Sequence, residues 1–161
     1  MLSDARELRR VLANKVRLIM NDRADLCIAA GFDGVHLGQD DLSPEGARLV
    51  VGSSRIVGVS THDLEQLKNA DACPVDYIAY GPIFATRAKL NPDPVVGLGG
   101  LRAARGLTKK PLVAIGGITR ANVRSVMEAG ADVVAVISDL VHEPRQAAEE
   151  FLRLMDAHPR G

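Results

Sequence analysis

Two junctions far apart in this chain are built from almost the same residues: Ala30-Gly31-Phe32-Asp33-Gly34-Val35 and Ala129-Gly130-Ala131-Asp132-Val133-Val134. Each reads as a helix end, a glycine turn, an aspartate and then a strand. Short β-rich apolar runs recur along the chain, at Val16–Met20, Gly34–Leu37, Arg55–Val59, Tyr77–Tyr80, Pro111–Ile115 and Val133–Ile137. They are nearly continuous in hydrophobicity, which predicts strands buried on both faces, as in a parallel sheet. Helical spacing lies between them: Leu64, Leu67 and Lys68 after Thr61, and Val123, Val126 and Met127 after Thr119. Thr61 and Thr119 are the expected N-caps, and Gly31 and Gly130 the expected glycines past the helix ends. Strands alternating with helices in this way mean about six βα units. Such units form either an open doubly wound sheet or most of an eight-stranded barrel.

Composition narrows the function classes. The chain of 161 residues suffices for one domain with its own core. Aromatic residues make up 3% and there is no Trp, so stacking platforms for single-stranded nucleic acid are not expected. A formal net charge of zero gives no overall grip on nucleic acid or an anionic membrane. No apolar run approaches the roughly 20 residues of a membrane span, and the opening MLSDARELRR is too charged for a signal peptide. Cys27 and Cys73 stand in no metal-ligand spacing and read as buried free thiols, which fits a cytoplasmic location.

In parallel βα folds the chemistry sits at the C-terminal strand ends. After successive strands come Asn21-Asp22-Arg23, then Gln39-Asp40-Asp41, then Ser60-Thr61-His62. Later come Thr86, Arg87 and Lys89 in a long segment with Pro82, Pro92 and Pro94, then Gly116-Gly117 with Thr119, and last Ser138-Asp139. Acids dominate the early ends; hydroxyls, glycines and cations dominate the later ones. Carboxylates from neighbouring strands can hold Mg²⁺ together with substrate phosphates. Glycine amides at a helix start can hold a second phosphate. Each residue also has a plainer reading: Asp22 or Asp40 as an N-cap, Gly116-Gly117 as a tight turn, His62 as a surface or capping residue, Lys89 as an ordinary loop lysine. What favours chemistry is that all of them fall on one rim.

Taken together, Asn21-Asp22-Arg23, the run from Gly34 to Asp41, Gly58-Val59-Ser60-Thr61-His62, the run from Gly81 to Thr86 with Lys89, Ile115-Gly116-Gly117-Ile118 and Val136-Ile137-Ser138 resemble the thiamine phosphate synthase family over about Leu8 to Leu154. The resemblance implies a (β/α)₈ TIM barrel and an enzyme, a transferase of thiamine biosynthesis. It joins hydroxymethylpyrimidine diphosphate to a thiazole phosphate, through a pyrimidinyl-methyl cation, releasing diphosphate. It implies Mg²⁺ on Asp22 and Asp41, with Asp40 the alternative ligand. Asn21, Ser60 and Lys89 would hold the diphosphate, Ser60 and Lys89 acting on the leaving group. Thr86, Gly117, Ile137 and Ser138 would hold the thiazole phosphate.

The sequence departs from the family in two places. The usual Thr-x-Thr-Lys is Thr86-Arg87-Ala88-Lys89 here, one hydroxyl short. The family's first two strands, with a Gln-x-Arg-x-Lys motif that grips the pyrimidine diphosphate, have no counterpart. Residues 1–161 are therefore expected to form one incomplete barrel domain that associates as a homo-oligomer or strand-swapped dimer, or is a fragment of a longer product. Its partners are expected to be small phosphorylated molecules, with no nucleic acid and no membrane. Three alternatives compete with the synthase reading. They are a thiazole tautomerase using a histidine near His62, a non-catalytic phosphate-binding remnant, and an unrelated phosphate-binding barrel.

Overall fold

Every predicted apolar run forms or overlaps a strand. The computed structural model describes residues 1–13, 15–86 and 93–156. Helix α1 (Leu2–Leu12) precedes β1 (Ile19–Asn21); α2 (Ala24–Ala30), β2 (Gly34–Leu37), α3 (Pro44–Val51), β3 (Ile56–Thr61), α4 (Leu64–Ala72) and β4 (Tyr77–Tyr80) follow. Then come α5 (Gly97–Leu107), β5 (Leu112–Ile115), α6 (Val123–Glu128), β6 (Val133–Ala135), a 3₁₀ turn at Ser138–Leu140 and α7 (Pro144–Asp156). The strands are all parallel and lie in the order β1-β2-β3-β4-β5-β6. This order decides between the two architectures. A doubly wound sheet reverses direction at a switch point; here the order never reverses. Right-handed crossovers then leave the helices on one face, as in an arc of a barrel.

The two faces differ sharply. Leu37, Val59, Ile78 and Leu112 form one row across the sheet, and all four are buried. They pack with Ala47 and Val51 of α3, Leu67 of α4, Leu101 and Ala104 of α5 and Val123 and Val126 of α6. The other face carries His36, Ser60, Tyr77 and Val113, all half-buried, and Val133, which is exposed. The expectation of strands buried on both faces therefore fails over part of the inner face: Ala79 is buried there, but the residues beside it are half-buried or exposed.

Three copies of one clamp fix the strand register. The aspartates Asp33, Asp76 and Asp132 stand immediately before β2, β4 and β6. Asp33 donates its N–H to Leu18 O (2.8 Å) and accepts Leu18 N–H at Oδ2 (2.7 Å). Asp76 grips Val57 the same way, at 2.7 Å for both bonds, and Asp132 grips Leu112 at 2.9 and 2.8 Å. Each carboxylate also takes an arginine from an earlier helix at 2.6 Å: Arg9 of α1, Arg48 of α3 and Arg105 of α5. The Leu18 amide, and then Arg9, hold the Asp33 carboxyl below the usual carboxylate range. The repeated Gly-x-Asp junctions in the sequence are two of these clamps.

Helix ends depart from expectation in two places. Thr61 does not cap α4; it is buried at the end of β3 and donates its hydroxyl to Ala79 O (2.9 Å). The cap is Asp63, which accepts Gln66 N–H (2.8 Å). Asn122, not Thr119, stands at the start of α6, and its Oδ1 accepts Thr119 N–H (2.8 Å). Only at α4 does a side chain cap the helix; Asn122 instead ties the turn before α6. Gly31 does end α2 in the left-handed conformation (φ 70°), as expected. Cys27 is buried, whereas Cys73 is only half-buried. No helix among the described residues is long and apolar enough to cross a membrane.

Candidate active site

The C-terminal ends of the strands form one rim. At β1, Asn21 is exposed and Asp22 adopts φ 62°, a left-handed conformation that Asp tolerates better than most residues. Its N–H donates to His36 O on β2 (2.8 Å), which fixes this turn. The neighbouring Arg23 is occupied by Asp25, through two bonds of 2.8 and 2.6 Å. At β2, Asp41 accepts Gly38 N–H (2.7 Å) at Oδ2. One carboxylate oxygen thus braces the turn, while the residue as a whole is exposed. A Cβ at Gly38 would come within 3.0 Å of that oxygen, so the glycine makes room for the brace. Asp40 is exposed. Gln39 reaches to β3 and donates to Ser60 O (2.5 Å).

Ser60 is held by a relay. Its Oγ lies 2.8 Å from His36 Nε2, and His36 Nδ1 lies 2.7 Å from Tyr77 Oη. His36, Gly58 and Tyr77 are register partners in one row across β2, β3 and β4. Gly58 supplies no side chain between them, so the two rings stack across it at 5.5 Å and 18°. Burial pushes the Tyr77 phenol up to about 12 and pushes His36 down, the latter opposed by the nearby Asp41 charge. Both groups are therefore neutral at neutral pH. A neutral ring donates at one nitrogen and accepts at the other: either Tyr77 donates to Nδ1 and Nε2–H donates to Ser60, or Ser60 donates to Nε2 and Nδ1–H donates to Tyr77. In the first arrangement the Ser60 hydroxyl hydrogen points at a ligand.

The opposite side of the rim is made of backbone. Gly116 (φ 86°) and Gly117 (φ 66°) follow β5. A Cβ at Gly116 would lie 2.5 Å from Pro82 Cβ, and one at Gly117 would lie 2.7 Å from Ala85 O. Both glycines are thus required for the β4–α5 connection to lie against β5, where Ile83 and Phe84 donate N–H to Ile115 O (2.8 Å) and Gly116 O (3.1 Å). Ile137 and Ser138 follow β6 and are exposed. Asp139 is not a rim ligand. It accepts Arg120 N–H (2.8 Å) and Arg120 Nε (3.1 Å), and Arg120 also bonds Glu150 (2.8 Å). This network joins the turn after β5 to the turn after β6, next to Gly117 and Ser138. The Arg120 amide and guanidinium hold the Asp139 carboxyl below the usual range. Thr86 is half-buried, and Lys89 lies outside the described residues.

The structure thus connects Asp22, His36, Gln39 and Ser60 on β1–β3, and Gly117 with Ser138 through Arg120 and Asp139 on β5–β6. Sequence reading missed His36, Gly58 and Tyr77. The signal was there: in Gly34-Val35-His36-Leu37 a period of two separates His36 from the buried Val35 and Leu37. A near-continuous apolar reading of the strand hid it.

A family model described as thiamine monophosphate synthase matches residues 1–140. A thiamine-phosphate synthase of Koribacter versatilis (strain Ellin345) is 69% identical over 154 residues, covering 96% of this chain and 73% of the relative. One from Vibrio parahaemolyticus serotype O3:K6 is 44% identical, covering 88% and 70%. Among solved structures, a thiamine phosphate pyrophosphorylase from Pyrococcus furiosus superposes with a TM-score of 0.87 at 33% identity, covering 97% of this chain and 76% of that one. With the six-stranded parallel arc and its rim, these likenesses show that the chain belongs to the thiamine monophosphate synthase family.

Proposed function

We propose that this chain condenses hydroxymethylpyrimidine diphosphate with a thiazole phosphate, giving thiamine phosphate and diphosphate. The observation that carries this reading is the division of the rim. Exposed carboxylates and an oriented serine lie on β1–β3; glycine turns and Ser138 lie on β5–β6. One side suits a metal-bound diphosphate and the other a simple phosphate. Asn21, Ser60 and Lys89 hold the diphosphate; Thr86, Gly117, Ile137 and Ser138 hold the thiazole phosphate through hydroxyls and backbone N–H groups.

Asp22 and Asp41 would hold Mg²⁺. They follow the neighbouring strands β1 and β2, both are exposed, and carboxylate oxygens are the donors Mg²⁺ prefers. Mg²⁺ is commonly held by one or two carboxylates, with water and substrate phosphate completing its shell. When bound, it supplies positive charge to the departing diphosphate. The chain's own part is positional. With Tyr77 donating to His36, the relay turns the Ser60 hydroxyl hydrogen outward, toward a developing phosphate charge. The dry helix-facing core keeps the rim rigid, and Lys89 adds a cation at the leaving group. Carbon–oxygen cleavage frees the diphosphate, and the thiazole nitrogen then bonds to the pyrimidine's exocyclic carbon.

The same proposal includes a (β/α)₈ barrel of which these strands are the larger part, and association as a homo-oligomer or strand-swapped dimer. Its support is that β1 and β6 end the sheet, each with one edge unpaired among the described residues, and that Val133 of β6 and Ile137 and Val141 after it are exposed. A cytoplasmic setting belongs with it.

The test is diphosphate release from the two substrates with Mg²⁺. Turnover that needs both substrates and metal is expected, and Ser138→Ala should raise KM for thiazole phosphate more than for the pyrimidine. Binding of thiazole phosphate without turnover would overturn the enzyme reading for this chain and leave a phosphate-binding remnant.

A further inference from the structure

His62 follows β3 directly, and its side chain is only 12% exposed. We propose that His62 is a positioning residue that sets both ends of the β4–α5 connection, and through it the placement of Thr86. Its Nδ1 lies 2.6 Å from Gly81 O. A carbonyl only accepts, so Nδ1 carries the hydrogen. Its Nε2 faces Asp93 Oδ2 at 3.4 Å, an ion pair when the ring is protonated. Gly81 opens the connection straight after β4, and Asp93 stands shortly before α5. One ring therefore touches both ends. The histidine is itself fixed, since its backbone N–H donates to Gln66 Oε1 (2.8 Å).

The backbone reinforces the same base. Gly81 N–H donates to Thr61 O (3.1 Å), and Val96 N–H donates to Pro82 O (2.9 Å). Ile83 and Phe84 lie on β5 as described, two residues short of Thr86. The approach to Thr86 is thus held from below by β5 and from the side by His62. A general base would need a ring nitrogen turned to the substrate; here both nitrogens face protein groups. The link to ligand binding rests on the reading of Thr86 as a thiazole-phosphate ligand; the clamp itself does not.

Two isosteric variants separate the two contacts. Asparagine places its amide nitrogen where histidine has Nδ1, and glutamine places its own where histidine has Nε2. Amide hydrogen exchange on the whole chain reads the clamp, and calorimetry with thiazole phosphate reads its consequence. His62→Ala should speed exchange at residues 83–86 and at Val96 by about tenfold, the worth of one lost hydrogen bond. His62→Asn should restore protection at 83–86, and His62→Gln should not. Affinity for thiazole phosphate should fall about tenfold in His62→Ala. Unchanged exchange in His62→Ala overturns the clamp, whether or not any ligand binds. If His62→Ala unfolds globally, identical exchange in the Asn and Gln variants overturns it instead. Unchanged thiazole phosphate affinity despite faster exchange overturns the link to Thr86. Failure of the unmodified chain to bind thiazole phosphate overturns the proposed function, while the exchange result still decides the role of His62.

Discussion

Gly58 is the residue on which the Ser60 relay turns, and adding one methyl group there should break it. A Cβ at position 58 would lie 2.0 Å from Tyr77 Cζ, with both Cε atoms within 2.5 Å. Carbon atoms pack at about 3.5–4.0 Å, so the ring must retreat by about 1.5 Å. That movement breaks the 2.7 Å bond to His36. The lost hydrogen bond costs about 0.5–1.5 kcal/mol and overpacking about 1–3 kcal/mol. Gly58→Ala should therefore destabilise the chain by about 2–4 kcal/mol, lowering Tm by about 6–12 °C for a domain of this size. Tyrosinate absorbance gives an independent reading, because the chain has two tyrosines and no Trp. Tyr77 titrates near about 12 in the unmodified chain and should move toward its ordinary 10.0 in the variant. Its raised pKa contributes stability that is fully present below pH 10 and is lost as pH rises from 10 toward 12. Gly58→Ala should flatten that part of the profile. In a Tyr77→Ala background the same substitution should cost less than about 1 kcal/mol, since the clash is gone. A Gly58→Ala variant within about 0.5 kcal/mol of the parent, with Tyr77 still titrating near 12, would refute the row as described.

Asp132→Ala removes the carboxylate that grips Leu112 N–H and Arg105. A charge-assisted bond and a half-exposed ion pair together predict a loss of about 2–3 kcal/mol in urea unfolding; a loss under about 0.5 kcal/mol would show that the clamp does not set register. Asp41→Asn keeps an oxygen acceptor for Gly38 N–H while reducing charge, so Tm should hold within about 3 °C while Mg²⁺-dependent binding of pyrimidine diphosphate is lost; retained binding would shift the ligand to Asp40. His36 is depressed by burial, so it contributes stability present above its ordinary 6.5 and lost as pH falls through its lower folded value. Unfolding profiles of His36→Gln should lack that acidic loss, and an unchanged profile would count against a neutral buried His36.

The sheet was legible because strand burial is written directly into sequence. Gly34–Leu37 and Tyr77–Tyr80 form strands with the predicted bounds, and the similar junctions at Asp33 and Asp132 mark a real structural repeat. The third clamp was hidden because Asp76 follows Cys73-Pro74-Val75 rather than a glycine turn. The choice between barrel arc and doubly wound sheet was not legible from local pattern, since both use the same βα unit and differ only in strand order. At the rim, Asp22, Asp41, Ser60, Gly117 and Ser138 were placed by the rule that parallel sheets carry chemistry at their C-terminal ends. The relay was missed because it needs three strands in register. His36, Gly58 and Tyr77 are distant in sequence and meet only through pairing. The bond between Asp139 and Arg120 was hidden for a related reason: Arg120 arrives from another turn.

The most direct test of the divided rim is titration calorimetry of the unmodified chain with each substrate separately, with and without Mg²⁺. Thiazole phosphate should bind equally well in both conditions, and pyrimidine diphosphate should bind only with the metal. Metal-independent binding of the pyrimidine diphosphate, or no binding of either ligand, would contradict the account.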